Sequence, residues 1–133
     1  MASATTTAPP SERPLVPTAI VSDEGAVKVV SFVRNERGQV SFDTVRAYFS
    51  ALMLDHTHGW NRLVLDLSGV PALDSAALGP LVQKLREVQE ANGRLVLTGV
   101  EAPALREIFA LTRFDRVFPI VPDRAAAIAQ AAS

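Results

Sequence analysis

A short apolar run that stops at a turn and is followed at once by an amphipathic helix leaves a chain few ways to fold. Arg62 to Leu67, read RLVLDL, is such a run, and Ser68-Gly69 and Pro71 stop it. It fits a buried strand ending in a turn. Asp74-Ser75 then offers two N-cap side chains at the head of a helix pattern. The apolar members of that pattern are Leu78, Leu81, Val82, Leu85 and Val88, with Gln83, Lys84, Arg86, Glu87, Gln89 and Glu90 expected on the opposite, polar side. Asn92-Gly93 is the stop. A strand that carries a carboxylate and a hydroxyl to an exposed helix N-terminus makes a place for binding or switching, because backbone N–H groups and the macrodipole act there on an anion.

The remainder of the chain can be placed around this unit. Met1 to Pro17 is Ala, Ser, Thr and Pro with hardly a large apolar side chain, so a disordered tail over 1–17 and a single domain over 18–133 are expected. Thr18 to Ser22 and Ala26 to Val33 are β-branched runs separated by Asp23-Glu24-Gly25, the signature of an antiparallel hairpin. After the polar turn Asn35 to Gly38, Gln39 to Phe42 leads into a helix pattern built on Val45, Tyr48, Phe49, Leu52 and Met53, with Ser41 or Asp43 as its cap. Arg94 to Val100 reads as another buried strand and Leu105, Ile108, Phe109 and Leu111 as a helix after Pro103. Val117 to Val121 reads as a short extended segment, and Ala125 to Ala132 as an alanine-rich last helix. The order ββαβαβα with a weak βα addition predicts an α/β fold, a small mixed sheet with an antiparallel opening pair, later strands parallel, and right-handed crossovers.

Charge and residue usage remove several functions. Thirteen Lys and Arg against fourteen Asp and Glu give a net charge of -1, so there is no basic field to gather phosphates along a nucleic acid. With no cysteine, disulfides, thiolate nucleophiles and cysteine metal sites are all unavailable, which suits a reducing compartment. No basic leader with an apolar core is visible and no run approaches the roughly 18 apolar residues of a membrane span, so a cytoplasmic protein is expected. Asp55, His56 and His58 lack a further His or any Cys to complete a metal site, and no metal or other cofactor is expected. Ser75 has no base near it in sequence, so no catalytic triad and no enzyme is indicated. Asp66 at a strand end could suggest the phosphoacceptor of a receiver domain. That fold alternates βα from its first strand, however, whereas this chain opens with a hairpin.

Leu65-Asp66-Leu67-Ser68-Gly69-Val70, Leu73-Asp74-Ser75, Leu78-Gly79, Asn92 to Leu97 and the stretch from Ala104 to Ile120 together resemble the STAS domain of bacterial anti-sigma factor antagonists. The resemblance implies a protein-binding module that captures an anti-sigma factor with a GHKL-type kinase fold and so releases a sigma factor for transcription. It places the docking surface at Asp74, Ser75, Ala76 and Leu78, within Val70 to Leu78, with the turn at Gly38 to Phe42 beside it. The family pattern reads Asp-Ser, then a Ser or Thr that takes the phosphate, then Gly, whereas this chain has Asp74-Ser75-Ala76-Ala77. Ala76 thus stands where the acceptor is expected. Related stressosome proteins imply Ser75 as the remaining candidate for phosphorylation. An accessory or scaffold subunit of a stressosome or a lipid-transport system is the alternative within the same fold, and a phosphoacceptor or nucleotide-handling protein the alternative outside it. Two further departures carry structural expectations. Pro80 is expected to loosen the first turn of the central helix, and Arg113 stands where a left-handed glycine is usual.

Overall fold

A computed structural model describes residues 19–133. The expected tail at 1–17 lies outside the described residues. Five strands form one sheet among these residues, in the order β1 (Ala19–Glu24), β2 (Val27–Phe32), β3 (Arg62–Asp66), β4 (Arg94–Thr98) and β5 (Ile120–Val121). β1 and β2 pair antiparallel, Ala19 opposite Phe32 and Glu24 opposite Val27. Every later pair is parallel, with Leu63 beside Leu95, Leu65 beside Leu97 and Asp66 beside Thr98.

Period-two alternation in these strands creates two cores. Val30, Phe32, Leu63, Leu65, Leu95 and Leu97 face a layer of helices and join the large apolar cluster. Val27, Val29, Val64 and Val96 face the other way, against Ala127 and Ala131 of α5 (Arg124–Ala132). Small alanines let that last helix lie close on the valine layer. Burial of each of the larger side chains, Val, Leu or Phe, contributes about 1.5–3 kcal/mol before conformational entropy is counted.

The helix after the hairpin is not uniform. Ser41 caps α1 (Phe42–Ala47), its Oγ accepting the Thr44 N–H at 3.4 Å. The chain then widens into a π-helical turn at Tyr48–Leu52 before α2 (Met53–His56). Two adjacent aromatics, Tyr48 and Phe49, are both buried at that turn and pack edge-on to each other and around Phe32, with centroid separations of 5.4–5.8 Å. Nothing in the apolar spacing announced this insertion.

α3 (Ser75–Glu90) runs unbroken through Pro80, contrary to the expected loose turn. The missing proline N–H removes the donor for a single carbonyl, that of Ala76. Burial of Ala77, Leu78, Leu81, Leu85 and Val88 on the sheet outweighs that loss. Lys84 is a second correction. Expected on the polar face, it is 1% exposed, because residues 81, 84, 85 and 88 fall on one stripe of the helix. Its Nζ donates to the Thr57 carbonyl at 2.7 Å, so the ammonium caps the end of the preceding helical segment. Burial pushes this ammonium below the usual lysine range, with Glu87 working against the shift from 3.9 Å.

Asn92-Gly93 stops α3 as expected: Asn92 is left-handed, at φ 58°, and the Gly93 N–H returns to the Val88 carbonyl at 2.8 Å. α4 (Pro103–Thr112) ends on Arg113, which adopts φ 62° and ψ 21°. The position that resemblance marked for glycine is indeed left-handed. An arginine there carries strain of about 1–2 kcal/mol. A 3₁₀ turn at Phe114–Arg116 then leads to β5, which is shorter than the extended segment expected over Val117 to Val121.

Candidate functional site

The turn between β3 and α3 holds two aspartates in different ways. Asp66 ends β3 with its carboxylate nearly buried. One oxygen accepts the Ser68 N–H at 3.0 Å and the Ser68 hydroxyl at 2.6 Å, and the other accepts Arg124 Nε at 3.1 Å. Burial alone would raise this carboxyl, but the Ser68 hydrogen bonds and the Arg124 guanidinium outweigh it and hold the group below the usual carboxylate range. Gly99 makes this approach possible: at φ 74°, a Cβ there would lie 2.4 Å from the Ser68 nitrogen and 2.6 Å from Asp66 Oδ1. Asp66 therefore fixes the shape of the turn.

Asp74, eight residues on, precedes the first turn of α3. Its backbone carbonyl accepts the N–H groups of Ala77 and Leu78 at 3.0 and 3.1 Å, but its carboxylate makes no cap hydrogen bond. The side-chain cap expected of Asp74-Ser75 is thus replaced by a cross-element ion pair, because Asp74 Oδ2 meets Arg46 Nε of α1 at 2.8 Å. Asp74 Oδ1 is buried with no hydrogen-bond partner among the described residues. The negative charge still sits at the positive end of the helix dipole.

Ser75 is exposed as the first helical residue, and Ala76 is half-buried beside it. Leu78 is only 6% exposed and packs into the core, so its side chain does not join the outward face on which resemblance had placed it. The outward face instead gains Arg46 from α1, and Phe42, one turn before Arg46 on that helix, is 37% exposed. The expected neighbouring turn is well ordered by hydrogen bonds. Asn35 Oδ1 accepts the N–H groups of Arg37 and Gln39, both at 2.9 Å, and the Val40 N–H donates to the Gly69 carbonyl at 2.8 Å. That last bond joins the turn at Gly38 to Phe42 to the turn after β3.

Sequence reasoning missed both arginines that pair with the aspartates. Arg46 and Arg124 lie 28 and 58 residues from their partners, and no local pattern marks a pairing that only the fold creates. The histidines set aside as metal ligands serve otherwise: His56 Nδ1 meets the Tyr48 hydroxyl at 2.7 Å and its ring stacks edge-on to Trp60, while His58 is exposed. Trp60, expected as a strand-edge anchor, packs half-buried against the core just before β3.

A mixed sheet of this order, with the turn and helix head just described, defines a class of small α/β domains. The chain belongs to the STAS domain family, whose model matches residues 29–127. BtrV of Bordetella bronchiseptica, provisionally named an anti-sigma factor antagonist, is 34% identical over 71 residues, which span 53% of this chain and 60% of BtrV. The match thus spans less than two thirds of that curated relative. An anti-sigma factor antagonist from Mycobacterium paratuberculosis shares 28% identity at a TM-score of 0.66, covering 87% of this chain and 94% of that one. An antagonist STAS-domain protein from Planctomyces limnophilus superposes with a TM-score of 0.70 at 24% identity, over 86% and 98% of the two chains, a likeness of fold. The chain is therefore an anti-sigma factor antagonist-like STAS domain with bacterial relatives. Among the described residues no helix is long and apolar enough to cross a membrane.

Proposed function

We propose that this chain is a cytoplasmic binding module, not an enzyme, that captures an anti-sigma factor with a GHKL-type kinase fold and so regulates transcription. The observation that carries this reading is the outward head of α3, where Asp74, Ser75 and Ala76 stand together beside Arg46 and Phe42. Such a patch offers one apolar anchor and a pair of opposite charges, the elements from which a small docking surface draws specificity and orientation. Ala76 occupies the position of the usual phosphoacceptor, so this antagonist is not switched off there. The exposed Ser75 hydroxyl is the one remaining acceptor at the helix head and supports a second reading, in which a partner kinase modifies Ser75.

Calorimetric titration of the chain with a purified anti-sigma factor of GHKL-type kinase fold from the same organism tests the assignment. Binding is expected for the parent chain, and Ala76→Glu should weaken it about tenfold or more, by setting a second negative charge next to Asp74 in a desolvated contact. Incubation with that kinase and ATP should leave the chain unmodified. A phosphate mapped to Ser75 by mass spectrometry, together with loss of binding in Ser75→Asp, establishes the second reading. Undiminished binding by Ala76→Glu moves the interface away from this helix end.

A further inference from the structure

On the α5 side of the sheet, beyond the valine layer, a cavity of about 260 Å³ opens between the ends of β2 and β3 and the start of α5. Arg34 and Arg124 both line it, together with Ser31 and Ser68 and the apolar Ile20 and Val33. Arg124 is oriented by the bond from its Nε to Asp66, which leaves its two terminal nitrogens free of that bond. Arg34 makes no ion pair among the described residues. Its stem lies against Gly69, where an added Cβ would come within 2.9 Å of Arg34 Cδ and 2.5 Å of the Gly38 carbonyl oxygen. A residue without a side chain at 69 thus lets the stem lie against the turn.

With the one carboxylate of the cavity already satisfied by three hydrogen bonds, its lining carries two arginines and a net charge of one positive. Paired guanidiniums match the tetrahedral face of a phosphoryl group. Ser68 adds a finer condition. An ionised Asp66 only accepts, so the Ser68 hydroxyl spends its single proton on that 2.6 Å bond and can only accept from a ligand. The complementary ligand carries a hydroxyl as well as a phosphate. At about 260 Å³ the cavity falls below the roughly 300–1,000 Å³ of sites for drug-sized ligands, which favours a small ligand.

We propose that this cavity is a binding site for a small phosphorylated polyol, with the phosphoryl group between Arg34 and Arg124 and a hydroxyl donating to Ser68. The site is distinct from the docking surface at the head of α3 and requires no particular protein partner. Titration of the ¹⁵N-labelled chain with glycerol 3-phosphate at constant ionic strength, followed by amide shifts, tests it. Saturable shifts are expected at Ser31 to Arg34, Ser68 and Arg124, with a dissociation constant of about 1 mM or tighter. Inorganic phosphate should bind more weakly, and glycerol not at all. Arg34→Gln should lower the affinity about tenfold without moving the thermal midpoint, since Arg34 has no ion pair to lose; Arg124→Gln should lower the affinity as well, with a lower thermal midpoint from the lost Asp66 pair. Absence of saturation by about 20 mM, or affinity unchanged in Arg34→Gln, overturns the site. Inorganic phosphate binding as tightly as the polyol phosphate overturns the role given to Ser68.

Discussion

Asp66 and Asp74 stand eight residues apart in one turn, each paired with an arginine from a distant element, yet they differ in nearly everything that decides a role. The Asp66 side chain is 11% exposed and accepts three hydrogen bonds, whereas that of Asp74 is 36% exposed, has one oxygen on Arg46 and leaves the other without a partner among the described residues. A saturated, buried carboxylate shapes the chain around it. The Asp74 carboxylate meets solvent only on the side of Oδ2, which lies on Arg46, while its Oδ1 is buried. The same residue type thus serves structure at the end of the strand and, under the proposed function, recognition at the head of the helix, and burial makes the difference.

Replacing each aspartate by alanine breaks this comparison most directly. Asp66→Ala should cost about 2–3 kcal/mol in urea unfolding, because it strands the Ser68 N–H and hydroxyl that the carboxylate satisfies. Asp74→Ala should cost only about 0–1 kcal/mol, as expected of an exposed ion pair, while abolishing the proposed capture of an anti-sigma factor. Equal losses of stability at the two positions would erase the distinction.

Acid sharpens it. The folded Asp66 carboxyl holds its proton less readily than the unfolded one, so its contribution is present above the ordinary value of 3.8 and is lost as pH falls through the lower folded value. Urea midpoints taken from about pH 5 down to about pH 2 should therefore decline less steeply in Asp66→Asn than in the parent chain. The smallest effect lies away from both sites. Arg113→Gly relieves a left-handed arginine and should raise stability by about 0.5–1 kcal/mol, with partner binding unchanged. A lower thermal midpoint would show that the Arg113 side chain makes contacts worth more than its backbone strain.

Residues close in sequence determined a large part of this protein. Strand alternation, the Gly and Asn stops and the run from Arg62 to Gly79 gave the element order, the antiparallel opening pair, the parallel remainder and the position of the helix head. These features depend on backbone geometry and on spacings of two or about 3.6 residues, which a linear sequence carries openly. Even the left-handed turn at Arg113 was visible, as a departure from glycine. Which polar groups would meet across the fold was not. Lys84 looked like a surface lysine until the stripe of α3 carried it under the segment ending at Thr57, and Leu78 looked like part of the docking face until packing turned it inward. Asp74 exchanged a local cap for Arg46, and Asp66 found Arg124 on the last helix. Such pairings join residues tens of positions apart, and their strength depends on desolvation and on side-chain direction, quantities that exist only once the sheet and helices have closed around them.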